Sequence, residues 1–402
     1  MAKPNLRSLD KMKFTKVIPT RNQKISEAPA KVLPPLSSYK ANEIAAALHP
    51  SCQYLKVARV IDEMPDVKSF ILVPDADSGT QSLAYFSAGN YLSIKLTIGS
   101  SVITRPYSIS SSPKESLAGE YMITIKRTEG GLASNFILDS WQVGTKVTAS
   151  APLGDFTYEP LRDAKQIIGL AGGSGITPFR SLAKAIADGD EDAYLTLLYG
   201  SCTKAEAIFQ EELEALANSC DRFRLVNVLS EQPADACEQG FITAELIGKY
   251  APKSGEYSIF MCGPQAMYEF VDKEIATLGL RNKFVRRELF GEYRHPEKDK
   301  AYPGCKDSSF KLTVRICGEA KVISCSVDDT LLVAMEKNGI AAPARCRSGV
   351  CGWCHSQLVS GDVYVPKSVD GRRMADLQFG YIHPCCTFPL SDITIDVPLF
   401  QA

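Results

Sequence analysis

Cys346, Cys351 and Cys354 stand in the spacing C-x4-C-x2-C, within Ala344-Arg-Cys-Arg-Ser-Gly-Val-Cys-Gly-Trp-Cys354. Cys385 follows in His383-Pro-Cys-Cys-Thr-Phe-Pro389. This spacing is that of a plant-type [2Fe–2S] site. Three thiolates on one short loop wrap one iron and reach the second, and a distant fourth closes the cage. Gly349 and Gly352 let the backbone pass near the sulfurs, where amide N–H groups stabilise negative charge. Such a cluster takes one electron at a time, so the motif predicts electron transfer. Cys386, next to Cys385, is the alternative fourth ligand. A zinc site usually pairs two C-x2-C units, and only one is present. Of the thirteen cysteines, Cys52, Cys202, Cys220, Cys237, Cys305, Cys317 and Cys325 are scattered and read as ordinary thiols.

Other segments carry chemistry upstream. In Arg105-Pro106-Tyr107-Ser108, a flat aromatic face, a guanidinium fork for phosphate and a hydroxyl for a ring nitrogen suit a flavin. In Gly130-Gly-Leu-Ala-Ser-Asn-Phe136, the small residues Gly131, Ala133 and Ser134 let a pyrophosphate approach a helix start. In Leu170-Ala-Gly-Gly-Ser-Gly-Ile-Thr-Pro178, Gly172, Gly173, Gly175 and Thr177 lie between a strand and a helix, the setting for a dinucleotide phosphate. It is not the G-x-G-x-x-G fingerprint, and a glycine turn alone is a weak signal. Met261-Cys-Gly-Pro-Gln-Ala-Met267 ends a further strand, which places Cys262, Gly263 and Met267 where ligands bind in a doubly wound sheet. Ser201, in Tyr199-Gly-Ser-Cys-Thr203, would lie near an adenosine.

The elements around these segments change character along the chain. From residue 53 to about 156, short alternating runs with Gly and Pro turns predict a small antiparallel barrel. From 163 to about 290, apolar strands alternate with amphipathic helices, which predicts a parallel sheet with covering helices. This gives a multidomain α/β plus β organisation: a basic extension over 1–50 with one short helix near Ala41–Leu48, a barrel over 51–158, a doubly wound sheet domain over 159–290, a polar linker over 291–308 and a cluster domain over 309–402. The extension holds nine Lys/Arg against three Asp/Glu, a net +6, and reads as a flexible arm. The whole chain, 402 residues with 45% hydrophobic residues and net charge −1, is a folded protein with no general affinity for nucleic acid. No apolar run reaches the roughly 18 residues of a membrane span. The N-terminus lacks the apolar core of a signal peptide, so a reduced cytoplasmic setting is expected, where clustered cysteines serve metal or redox roles.

Arg105-Pro-Tyr-Ser108, Gly172–Pro178, Cys262-Gly-Pro264 and Glu288-Leu-Phe290, in this order, resemble the ferredoxin–NADP reductase superfamily. The C-terminal cluster module is similar to that of oxygenase reductases, phenylacetyl-CoA epoxidase reductases and hybrid-cluster-protein reductases. The resemblance covers about residues 53–402. It implies a flavin-binding β-barrel, a nicotinamide-binding sheet and a β-grasp ferredoxin domain. It also implies NAD(P)H oxidation with hydride transfer to flavin N5, with Ser108, Cys262 and Glu288 around the hydride and Phe290 beside the cofactor. Single electrons would then leave through the cluster.

Within that family the form of 131–136 resembles the FAD branch more than the FMN branch. Glu231 stands where NADPH users often carry arginine, and a carboxylate repels a 2′-phosphate, so NADH is expected over NADPH, with Lys204 as the opposing signal. The expected partner is a redox protein or terminal oxygenase. The alternative is an electron-input subunit of a stable complex, or an activator of a corrinoid, radical or hybrid-cluster enzyme. Direct oxygen or nitric-oxide chemistry lacks a haem-ligand histidine pattern. His295, His355 and His383 read as structural.

Overall fold

The computed structural model describes residues 8–27, 35, 39–289, 291, 293, 295–304 and 308–399. The chain divides into two compact units, residues 1–47 and 48–402. The first holds two helices, Ser8–Glu27 and Lys40–Leu48, instead of the single short one expected. The longer helix escapes a periodicity search because it has no apolar face to bury: its described side chains are exposed, it carries Pro19, and its local bonds include Gln23 Nε2 to Glu27 Oε1 at 2.8 Å.

In the second unit, strands Gln53–Met64, Val67–Pro74, Tyr91–Ile98, Ser101–Ser108, Tyr121–Lys126 and Lys146–Ala149 form a six-stranded antiparallel sheet. An Ile109–Ile123 bridge joins its two edges into a barrel. The alternation seen in the sequence is real: Leu92, Ile94 and Leu96 bury one face together with Ile103 and Val147. Burying each such side chain contributes about 1.5–3 kcal/mol.

The next layer is a parallel sheet whose strands run, edge to edge, Glu238–Gln239, Phe223–Leu229, Tyr194–Ser201, Gln166–Gly172, Ser258–Cys262 and Val285–Glu288. Chain order reverses between Gln166–Gly172 and Ser258–Cys262, the switch point at which doubly wound sheets bind ligands. Phe156, just after the barrel, packs on Phe179 and Phe260 of the sheet layer with ring centroids 5.5 and 5.2 Å apart. Arg180 donates to the Ser110 carbonyl at 2.6 Å. These contacts fix the crevice between the two layers.

The C-terminal module has a mixed five-stranded sheet in the order Glu319–Ser326, Ser309–Ile316, Ile393–Asp396, Ser356–Ser360 and Tyr381–Ile382, with the helix Leu331–Lys337 packed on it. The polar stretch before it is anchored: Asp299 accepts from Tyr364, and Tyr293 meets Phe388 edge-on at 6.2 Å.

Candidate functional site

Three strand ends meet at the switch point. The parallel register sets Ala171, Cys262 and Glu288 side by side. Cys262 and Glu288 are buried, at 2% and 6% exposure. Burial pushes the Glu288 carboxyl well above the usual carboxylate range, with Asp155 adding to it. Burial, then Glu288, pushes the Cys262 thiol up. Both groups therefore hold their protons to higher pH than they would in water.

The glycine turns above them are set by close approach. A Cβ at Gly175 would stand 2.2 Å from the Cys262 carbonyl, and one at Gly172 or Gly263 would strike Met267 Sδ at 2.6 or 2.5 Å. The two strand-end turns thus touch backbone to backbone, with Met267 laid over both. Gly173 adopts φ +51 with open space around its Cα. The helix Thr177–Asp188 follows with Pro178 in its first turn and no side-chain cap at its N-terminus. The turn Gly173–Ile176 runs straight into this helix, with the Thr177 N–H bonded to the Ser174 carbonyl, so the glycine turn itself is the helix start that would face a phosphate.

On the barrel side, Ser108 lies opposite Tyr91 in the ladder. Tyr91 and Glu288 share one corner: a Cβ built at Gly154 would be 2.9 Å from the Tyr91 ring and 3.6 Å from Glu288 Oε1. Burial, and then the charges of Cys346, Cys351 and Glu288, push the Tyr91 phenol far up. Tyr91 therefore borders the barrel segment with Ser108 and the sheet segment with Glu288. Tyr107 packs against the barrel core. Helix Leu132–Ser140 starts at Gly131 with no side-chain cap, Ala133 buried and Ser134 in its first turn. Arg105 makes an ion pair with Glu336 of the C-terminal module, Nη1 to Oε1 3.5 Å.

The four motif cysteines form two pairs. Cys354 and Cys385 sulfurs stand 3.4 Å apart. Cys346 Sγ accepts N–H bonds from Ser348 at 3.5 Å and Cys351 at 3.4 Å, and Cys351 Sγ accepts one from Trp353 at 3.5 Å. Within each pair one thiol is held low by its neighbour: Cys351 holds Cys346 down to about 6, and Cys354 holds Cys385 well below its usual value. Among the described residues no three His, Cys, Asp or Glu side chains converge on a single metal position. Two thiolate pairs suit a two-iron centre, with two cysteines per iron, better than one mononuclear ion. Cys386 is buried, and its Sγ points at the His383 carbonyl, 3.5 Å away.

Among the described residues, buried side-chain oxygens without a hydrogen-bond partner include Ser108 Oγ, Ser201 Oγ, Asn227 Oδ1, Glu288 Oε2 and Ser348 Oγ. A buried polar atom left unpaired costs about 1–3 kcal/mol. Ser108, Ser201, Glu288 and Ser348 sit on the segments read as flavin, nicotinamide and cluster sites, and Asn227 on the neighbouring strand Phe223–Leu229, so these groups are placed to bond such cofactors. Phe290 and Cys305 lie outside the described residues. His355 bonds Asp376 at 2.9 Å and stacks on Tyr381, and His383 bonds the Gly349 carbonyl at 2.6 Å. Sequence reasoning missed Tyr91, Asn227, Glu336, Arg347 and Ser348. A carboxylate closing the apolar run Leu331–Met335 was the one available hint for Glu336.

Three family descriptions match successive segments: an oxidoreductase FAD-binding domain over residues 55–158, an oxidoreductase NAD-binding domain over 170–273 and a 2Fe-2S iron-sulfur cluster binding domain over 314–390. The ferredoxin reductase component of 3-ketosteroid-9-alpha-monooxygenase from Mycobacterium tuberculosis is 30% identical over 352 residues, covering 84% of this chain and 93% of the relative. The glycine betaine monooxygenase reductase subunit of Chromohalobacter salexigens is 27% identical over 356 residues, covering 85% and 94%. The fold is shared with phthalate dioxygenase reductase, at TM-score 0.61 and 24% identity over 87% of this chain and 98% of that one. The chain therefore belongs to the ferredoxin–NADP reductase superfamily, in the branch of NAD(P)H:acceptor oxidoreductases that join flavin, nicotinamide and [2Fe–2S] domains in one polypeptide.

Proposed function

We propose that this protein is an NADH-dependent, FAD-containing reductase that feeds single electrons to a separate redox protein or terminal oxygenase. The observation that carries the reading is one barrel hairpin that meets both other domains: Tyr91, opposite Ser108, shares a corner with Glu288 of the sheet domain, and Arg105 pairs with Glu336 of the cluster module. When bound, the flavin accepts a hydride's electron pair and the cluster takes electrons singly, so together they join a two-electron donor to a one-electron acceptor.

The chain's own residues bind and orient. Arg105 and the N-terminus of helix Leu132–Ser140 hold the flavin phosphates, Tyr107 stacks on the ring, and Ser108 Oγ bonds its reactive edge. Gly172, Gly173, Gly175 and Thr177 seat the dinucleotide phosphate, while Cys262, Glu288 and Met267 border the nicotinamide and exclude water. FAD is favoured over FMN by the uncapped helix, whose first-turn N–H groups suit a pyrophosphate. NADH is favoured over NADPH because Lys204, the nearby cation, is paired with Glu214 at 2.7 Å, leaving Glu231 to repel a 2′-phosphate.

Cys346, Cys351, Cys354 and Cys385 hold the cluster. Cys351 is exposed, and around it Val350 and Trp353 present apolar surface, with Arg345 stacked 3.3 Å from the Trp353 ring centroid. A partner with an apolar centre and an acidic rim is complementary to this face. Stopped-flow mixing of Cys351→Ser with NADH tests the order of events. Flavin reduction persists while electron delivery to an acceptor is lost; delivery at the wild-type rate would remove the cluster from the path.

A further inference from the structure

Glu336 ends the helix Leu331–Lys337 at the border between the barrel and the cluster module, and is 5% exposed. It accepts both guanidinium nitrogens of Arg347, at 2.6 and 2.8 Å. Arg347 lies between the first two motif cysteines, is 1% exposed and holds φ +60. The same carboxylate pairs with Arg105 at 3.5 Å. A buried arginine is retained only with such a partner, so the shape of the cysteine loop depends on Glu336. Two further bonds come from the strand that carries Arg105. Ser101 Oγ donates to the Glu336 carbonyl at 2.7 Å, and Thr104 Oγ1 donates to the Ala344 carbonyl at 2.9 Å. One strand, Ser101–Ser108, thus seats the flavin with its last four residues and docks the cluster module with its first four.

We propose that Glu336 is a positioning residue for electron transfer from flavin to cluster. By sharing its carboxylate between Arg105 and Arg347 it locks the cysteine loop to the flavin seat. This rests on the flavin and cluster assignments proposed above. The transfer it serves takes one electron out of the bound flavin and puts one into the bound cluster, with no bond made or broken. Two consequences follow from charge and geometry. Removing a negative charge beside the cluster makes the reduced cluster easier to form, so its midpoint potential rises. Freeing Arg347 lets the loop shift, so transfer slows even though the driving force has grown. A change in docking alone, without the shared charge, would not move the potential.

The test uses the full-length holoprotein with flavin and iron content measured first. Wild-type protein lacking either group would overturn the cofactor assignments, and this inference with them, whereas a loaded wild type with an unaltered variant overturns this inference alone. In Glu336→Gln, an EPR-monitored redox titration is expected to show a raised cluster potential. Stopped-flow reduction by NADH is expected to show flavin-to-cluster transfer slowed about tenfold or more, the scale of loss that a misplacement of the reacting groups produces. The hydride step is expected to change at least tenfold less. Glu336→Asp keeps the charge and shortens the reach; its potential stays near wild type while transfer slows. Should the glutamine variant fail to hold its cluster, the aspartate variant decides. Transfer at the wild-type rate in the loaded variant overturns the proposal, whatever the potential does.

Discussion

Cys354 and Cys385, 31 residues apart in the chain, bring their sulfurs to 3.4 Å, while Cys386 turns its own toward the His383 carbonyl. The backbone at Gly349 explains the choice. It holds φ +82, and a Cβ there would stand 2.9 Å from Cys386 Sγ and 2.1 Å from the Val369 carbonyl. The loop therefore closes over Cys386 and leaves Cys385 facing Cys354.

It follows that Cys385→Ala loses the cluster and Cys386→Ala keeps it. Iron and acid-labile sulfide per chain are the measurement. Retention of both in Cys385→Ala, with loss in Cys386→Ala, would reverse the ligand assignment.

Ser108 Oγ and Glu288 Oε2 are buried without partners, and each is assigned to the hydride site. Removing one hydrogen bond there, in Ser108→Ala, slows flavin reduction about tenfold, since one such bond contributes about 1 kcal/mol or slightly more. Burial raises the Glu288 carboxyl, so it gives up its proton at higher pH than an ordinary carboxyl. The rate of flavin reduction accordingly falls as pH rises through the ionisation of Glu288. Glu288→Gln, which cannot ionise, abolishes that limb. A limb that persists in Glu288→Gln belongs to another group.

Much of the fold and of the candidate site is legible in the sequence. Short runs with partial alternation, clearest at the start of Gln53–Met64, locate the barrel strands, and continuous apolar runs locate the parallel ones, because side-chain period follows the solvent on each face. The glycines at 172, 175 and 263 are visible as a motif, but the reason for them, two strand-end turns in contact, emerges only from the sheet order. Tyr91 reads like any strand residue, since its importance comes from segments distant in sequence. Glu336 is hidden for the same cause: its buried pairing with Arg105 of the barrel and with Arg347 of its own module leaves no local pattern. Helix Ser8–Glu27 is hidden because it has no apolar stripe.

Phe156 carries the junction of barrel and sheet layer through Phe179 and Phe260. Phe156→Ala leaves a cavity between them and lowers stability by about 3–5 kcal/mol. Denaturant unfolding monitored by flavin fluorescence reads this. A loss below about 1 kcal/mol, the scale of an ordinary surface change, would mean that the two layers do not depend on this contact.

Glu191 supplies a pH dependence of stability. Burial, then Asp190 and Glu159, raise its carboxyl to about 7 from 4.5. The folded state thus holds a proton that the unfolded chain releases. Its contribution is full below about pH 4.5 and is lost as pH rises through about 7. Comparing Tm across that window, Glu191→Gln falls less steeply than wild type. Parallel curves would show that Glu191 titrates normally.

The proposed preference for NADH rests on Glu231 and the Lys204–Glu214 pair. Glu231→Arg removes the repelling carboxylate and adds a phosphate fork, and raises kcat/KM for NADPH relative to NADH about tenfold or more. An unchanged ratio would place the 2′-hydroxyl elsewhere.

An electron pair taken from a nicotinamide is proposed to leave this protein one electron at a time through the Cys346–Cys385 centre. Anaerobic titration of the purified protein with NADH, followed by absorbance and EPR on the same samples, tests this most directly. The predicted result is bleaching of the flavin band accompanied by a rhombic one-electron signal from the two-iron cluster. Complete flavin bleaching with the cluster still fully oxidised and EPR-silent would contradict it.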